Sequence, residues 1–169
     1  MKTLVITGAS RGIGRFLADR SLAEGYRVIG LARNFSGDEN FETIPCDVRN
    51  ADQVDNALER LKGDKNLYGV INAAGVLNTK LAVRYRSDEI LDIVSTNLTG
   101  TMLVSKNVAK RLLTLRRGRI INLSSIAALL ALKGDSVYSA TKAAIETFSR
   151  SLARELAERG TTVNCIAPG

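Results

Sequence analysis

A short apolar run, Lys2-Thr3-Leu4-Val5-Ile6, leads straight into Thr7-Gly8-Ala9-Ser10-Arg11-Gly12-Ile13-Gly14 and then into a helical pattern over residues 12–24. A strand, a glycine-rich turn and a helix in that order aim backbone N–H groups and a helix N-terminus at a pyrophosphate. Glycine is required there because a Cβ would block the phosphate or forbid the turn. The spacing G-x-x-x-G-x-G differs from the common dinucleotide fingerprint G-x-G-x-x-G. Taken alone, it also fits a tight βα turn that binds nothing.

The rest of the chain repeats the alternation. Segments 2–7, 27–32, 43–46, 68–72, 118–123 and 161–166 read as strands. Segments 12–24, 50–61, 88–115 and 137–159 read as helices, the third with a break near Asn97. Each strand is short and nearly all apolar, as expected where helices cover both faces of a parallel sheet. Right-handed crossovers then give an α/β, doubly wound sheet of Rossmann type.

The 169 residues fit a single dinucleotide-binding domain, 1–169, and 45% hydrophobic residues supply a core. No run approaches the roughly 18 apolar residues of a membrane span, so no membrane partner is expected. A strand begins within three residues of Met1, leaving no room for a signal peptide, and a cytoplasmic setting is expected. Cys46 and Cys165 read as free buried thiols within strands. Histidine is absent, which removes histidine-based acid/base catalysis and, with only two cysteines, any basis for a zinc site; no metal is expected. The net charge of +7 invites a nucleic-acid reading. The basic residues are spread along helices with no aromatic-basic platform, so none is expected as a partner. A solvated surface, or attraction of an anionic cofactor and substrate carrier, accounts for the charge.

Tyr138 and Lys142 stand four residues apart in V-Y-S-A-T-K-A-A-I-E, with Ser125 thirteen residues before the tyrosine and Asn97 earlier still. Such a set can move a proton to a carbonyl or from an alcohol. On a helix, residues i and i+4 share a face with Cβ atoms about 5–6 Å apart. A free phenol, with a pKa of about 10, is a poor base at neutral pH. A cation about 4–5 Å away, at an effective dielectric near 20, favours the phenolate by roughly 3–4 kcal/mol and brings it toward the working range. The bare Y-x-x-x-K spacing also describes a ring packed over a lysine stem.

Together these segments resemble the classical short-chain dehydrogenase/reductase family from Met1 to Gly169. Thr7 to Gly14 is similar to its cofactor turn, Asn72-Ala73-Ala74-Gly75 to the segment after its fourth strand, and Pro168-Gly169 to the Pro-Gly after its sixth. Asn97, Ser125, Tyr138 and Lys142 match its catalytic tetrad. The stretches T-G-A-S-R-G-I-G, G-R-I-I-N-L-S-S and F-S-R-S-L-A-R-E-L-A-E-R-G-T-T-V-N-C-I-A-P-G read most like the 3-oxoacyl-(acyl-carrier-protein) reductase subgroup. The resemblance implies hydride transfer to a carbonyl, with Tyr138 giving the proton and Ser125, rather than Ser124, holding the oxygen. Lys142 would tune the tyrosine and bond the nicotinamide ribose, and Asn97 would hold a water that reloads Lys142.

Cofactor contacts are implied at Gly8, Ser10, Arg11, Gly12, Ile13, Gly14, Arg33, Asp47, Val48, Asn72, Ala73, Ala74, Gly75, Tyr138, Lys142, Pro168 and Gly169. NAD-selective relatives carry a carboxylate at the end of the second strand, where this chain has Ala32 followed by Arg33. Arginine grips a 2′-phosphate bidentately, and Arg11 matches a second basic position, so NADP(H) is expected. Asp47 would border the adenine or else cap the next helix.

The family also sets out alternatives and departures. An NADP-dependent sugar or alcohol dehydrogenase and a non-catalytic nucleotide-binding scaffold are the rival functions. Phe35 to Asn40 is short and polar where relatives have a helix, which should leave the adenosine side open. Relatives continue past the Pro-Gly into a substrate lid, a helix and a last strand, so the lid region is absent from this sequence. The implied substrate is a small molecule or a thioester, with an acyl carrier protein docking on basic residues near Arg116, Arg117 and Arg119. A dimer or tetramer would pair helices 98–115 and 138–158 through Ala143, Ala144, Phe148, Leu152 and Leu156.

Overall fold

The computed structural model describes residues 1–169. Six strands, β1 (Thr3–Thr7), β2 (Arg27–Ala32), β3 (Glu42–Pro45), β4 (Leu67–Asn72), β5 (Gly118–Leu123) and β6 (Thr161–Ile166), form one sheet. All pairings are parallel and the order is β3-β2-β1-β4-β5-β6, so the direction of winding reverses between β1 and β4. The helices are α1 (Gly12–Ala23), α2 (Ala51–Glu59), α3 (Ser87–Val94), α4 (Gly100–Leu115), α5 (Ala127–Leu130) and α6 (Ser136–Leu156), with a π-helical turn over Ser95–Thr99 joining α3 to α4. In such a sheet the carboxyl ends of the strands at the reversal form the ligand crevice.

Alternation along the strands sorts side chains to two faces. Val5, Ile29, Val70 and Ile120 pack with α2, α4 and α6 in a core of twenty buried residues. Ile6, Val28 and Ile71 pack on the other face with Ala18 of α1, in a cluster of six. A buried polar chain ties the first face together near the carboxyl ends, where Asn72, Asn122 and Cys165 share one rung. Asn72 Nδ2 donates to Asn122 Oδ1 at 2.8 Å and to Ser105 Oγ of α4 at 2.9 Å, and Asn122 Nδ2 donates to Ser149 Oγ of α6 at 2.8 Å. Buried amides need such partners, and here they fix α4 and α6 against the sheet.

Several expectations change. Helices lie on both faces of the sheet, but the edge strand β6 alternates, with Thr161 and Val163 buried and Thr162, Asn164 and Ile166 exposed. Cys165 is only half-buried, and Cys46 is buried just beyond β3 rather than within it. Leu152 and Leu156 belong to the chain's own core, leaving Ala143, Ala144 and Phe148 as the less buried part of that helix face. Residues 33–41 form no helix. Instead Arg15 of α1 anchors the connection, reaching Asp38 Oδ1 at 3.2 Å and Glu39 Oε1 at 3.4 Å, while Glu39 also accepts from Ser36 N at 3.0 Å and Gly37 N at 2.9 Å.

Candidate active site

The glycine turn runs from the carboxyl end of β1 into α1. Thr7 Oγ1 accepts from both Ala73 N and Ala74 N at 3.0 Å, which draws the segment after β4 against the turn. Gly8 has a φ of 69°, and a Cβ there would stand 2.8 Å from Ala74 Cα. A Cβ on Gly14 would collide with the Gly8 carbonyl, so the start of α1 is pressed against the turn. The N-cap of α1, Arg11, makes no side-chain capping bond. First-turn N–H groups thus remain for an anion, at the positive end of the helix dipole. These features fit a bound pyrophosphate. The turn opens on a cavity of about 620 Å³ lined by Gly8, Ser10, Arg11, Gly12, Ile13 and Gly14.

The same cavity extends over the ends of β2 and β3. Exposed Arg33 and Arg11 both line it, as do Asp47 and Val48. Asp47 is not the cap of α2, since Asn50 Oδ1 accepts from Gln53 N at 3.0 Å. The Asp47 carboxylate is gripped by Arg49, with Nε 2.9 Å from each oxygen, and this guanidinium holds it below the usual carboxylate range. Arg49 in turn bonds Asp92 of α3. Val48 is buried, with its side chain beside Gly100 at the start of α4.

At the other end stand Ser125, Tyr138, Lys142, Pro168 and Gly169, also lining the cavity, with Ala73, Ala74 and Gly75 between the two ends. Asn72 does not line it; its side chain lies beneath, in the polar chain that links α4 to α6. Tyr138 and Lys142 lie on α6, with the ammonium 5.5 Å from the phenol ring centroid. Lys142 is buried, and its Nζ donates to Leu123 O at 2.7 Å. Burial disfavours the ammonium and lowers its pKa to about 8.

Asn97 is fully buried in the π-helical turn. Its Oδ1 accepts from Val76 N at 2.8 Å, and its Nδ2 donates to Val76 O at 2.9 Å and to Thr141 Oγ1 at 3.3 Å. The Asn97 carbonyl accepts from Thr101 Oγ1 at 2.7 Å. The break is therefore a wide helical turn, a feature that recurs at functional sites, rather than a capped end. The side chain pins the segment after Gly75 to α6.

Ser125 is half-buried, and its Oγ accepts from Ala127 N at 3.2 Å. Ser124 is buried and its hydroxyl is turned to α6, donating to Glu146 Oε1 at 2.8 Å. Thr7 and Glu146 were not singled out in the sequence. The place of Thr7 just before the first glycine was the one available signal, and nothing local marked Glu146.

The basic residues proposed for carrier docking lie elsewhere. Arg116 and Arg117 immediately precede β5, whose opposite end leads to Ser125. At about 3.3 Å per residue the strand alone separates them from the site by roughly 17 Å. Arg117 bonds Lys65 O, Arg111 pairs with Glu59, and Arg119 and Lys2 stack on the ring of Tyr68 at 5.7 and 4.1 Å. That aromatic-basic grouping is assembled only by the fold. No helix is long and apolar enough to cross a membrane, and no cluster of three or more His, Cys, Asp or Glu side chains is placed to hold a metal.

Comparison with known proteins places this geometry. The family described as short chain dehydrogenase matches residues 2–169. The chain is 36% identical over 177 residues to the 3-oxoacyl-[acyl-carrier-protein] reductase of Salmonella typhimurium, covering 99% of this chain and 72% of that protein. It is 37% identical over 179 residues to the protein of that name from Bos taurus, covering 99% of this chain and 75% of the relative. The solved ligand-free aldohexose dehydrogenase of Thermoplasma acidophilum superposes with a TM-score of 0.94 at 31% identity, over 99% of this chain and 66% of that one. The glycine turn, the parallel sheet and the extent of these matches together show that the chain belongs to the short-chain dehydrogenase family of nicotinamide-dependent oxidoreductases.

Proposed function

We propose that the protein uses NADPH to reduce a carbonyl to a hydroxyl, and that its substrate is a 3-oxoacyl thioester. The observation that carries the reaction is the convergence of Ser125, Tyr138 and Lys142 on the cavity that also holds the glycine turn. The cofactor, when bound, supplies the hydride. Ser125 Oγ donates to the carbonyl oxygen and steadies charge as it develops there. Tyr138 gives its proton to that oxygen. The Lys142 ammonium, buried beside the ring, favours the charge left on the tyrosine oxygen, and its lowered pKa suits proton exchange near neutral pH. Asn97 acts by holding the Val76 backbone and Thr141 in place around Lys142. Arg11 and Arg33 supply positive charge for a 2′-phosphate at the far end, where Ala32 brings no carboxylate of its own and the Asp47 carboxylate is engaged by Arg49.

An apolar acyl chain is favoured by the surface around Ser125 and Tyr138. Leu77 and Val83 after β4, and Ile126, Leu129 and Leu130 after β5, stand exposed. The two segments are joined by Lys80 N to Gly134 O at 2.9 Å and by Thr79 Oγ1 to Asp135 Oδ1 at 3.0 Å. A polyol would leave such a rim unsatisfied, whereas an acyl chain would bury it. Likeness to the aldohexose dehydrogenase keeps sugar oxidation as the second reading. The reading treats residues 1–169 as one dinucleotide-binding domain that self-associates through α4 and α6 in a soluble, cytoplasmic protein. Initial rates in the full-length protein decide between the substrates: 3-oxoacyl thioesters with NADPH are expected to exceed aldohexoses with NADP at least tenfold in kcat/KM. Preference for the sugar would overturn the thioester.

A further inference from the structure

Ser125 approaches from the end of β5, whereas Tyr138 and Lys142 are carried by α6, and the connection between them exposes several leucines. Leu129 is 87% exposed, and Leu130 and Leu132 are each 52% exposed. Proton transfer needs the two sides aligned to a close tolerance, which direct bonds between β5 and α6 supply. Two bonds on consecutive residues of β5 cross directly to α6. Lys142 Nζ donates to Leu123 O at 2.7 Å, and Ser124 Oγ donates to Glu146 Oε1 at 2.8 Å, with Lys142 O a second acceptor at 3.2 Å. The first is made by a group that exchanges protons during the reaction. The second is charge-assisted and joins two residues to which the proposed reaction gives no chemical step. On its other side Ser124 is fixed by its N–H, which donates to Ile166 O of β6 at 2.7 Å.

We infer that Glu146 is a positioning residue: through Ser124 its carboxylate clamps the end of β5 to the Lys142–Glu146 turn of α6 and so holds the Ser125 hydroxyl opposite the Tyr138 phenol. The effect on turnover rests on the carbonyl-reductase reading; the clamp itself does not. Glu146→Gln keeps an acceptor for Ser124, whereas Glu146→Leu and Ser124→Ala each abolish the same bond.

In the full-length protein, Glu146→Leu and Ser124→Ala are each expected to lower kcat about tenfold while leaving the NADPH Kd within about twofold. Glu146→Gln should stay within about twofold of the parent, and the double variant Ser124→Ala/Glu146→Leu should fall no further than the worse single one. Full activity of Glu146→Leu, or multiplied losses in the double variant, overturns the assignment. Amide hydrogen exchange at Ser124, whose N–H donates to Ile166 O, reads the clamp without turnover and should quicken about tenfold in Glu146→Leu and Ser124→Ala but not in Glu146→Gln. Unchanged protection there refutes the clamp even if the reaction has been misread, and quickened protection in a protein inactive on carbonyls refutes only the reaction.

Discussion

The face of the sheet under α2, α4 and α6 joins twenty buried residues, whereas the face under α1 joins six, and the site draws on both. Asn97, Tyr138 and Lys142, which the proposed reaction requires in a fixed mutual geometry, come from the π turn and α6 on the deeply packed side. The cradle proposed for the pyrophosphate comes from α1 on the lightly packed side, where first-turn N–H groups are left without a capping side chain. Rigidity is placed where chemistry needs alignment, and the shallower face suffices where a turn and a helix end define the contact.

Neighbouring residues of β5 test that contrast most strongly. Ile120 is fully buried in the larger core, while Ile121 is partly buried against the smaller cluster. Ile120→Ala is expected to destabilise by about 2–5 kcal/mol and Ile121→Ala by about 1 kcal/mol, read from chemical unfolding. Equal losses would erase the distinction between the faces.

Lys142 gives the deep face a pH signature. The unfolded chain keeps that proton up to about pH 10, whereas the buried lysine releases it near pH 8. Between those values the unfolded state binds more protons, so stability rises with pH, by on the order of 3 kcal/mol from this group, and the full cost of burying the cation is present below pH 8. Lys142→Met should flatten that rise in unfolding curves taken from pH 7.5 to 10. A parent protein whose stability shows no more rise than the variant would contradict the burial argument.

On the shallow side the expected effect is smaller and confined to ligand choice. Ala32→Asp with Arg33→Ser should shift the NADPH/NADH ratio of Kd values toward NADH by roughly ten- to hundredfold, with little change in melting temperature. An unchanged ratio would move the phosphate contact to other residues.

Much of this was legible in the sequence because it is local. Strands written as apolar runs fell within one residue of their observed ends, and the glycine turn and the break at Asn97 were marked by their own residues. What the sequence hid depends on pairs far apart in the chain. The Ser124–Glu146 bond spans 22 positions, the Asn72–Asn122 bond spans 50, and Arg15 meets Asp38 across 23. The sequence leaves Asp47 open between bordering the adenine and capping α2, because Asp47 and Asn50 are equally good acceptors, and only geometry assigns the cap to Asn50. Arg116 and Arg117 stand at the turn before β5 as their sequence position implies, but nearness to β5 in sequence does not say which end of the strand the site occupies.

The central claim is that the deep face supplies a tyrosine proton donor, and Tyr138→Phe in the full-length protein tests it most directly. NADPH binding, followed by cofactor fluorescence, should stay within about twofold of the parent, while kcat for carbonyl reduction falls by a hundredfold or more, because only an interaction of the transition state is removed. Retention of more than about a tenth of kcat would show that the proton comes from another group.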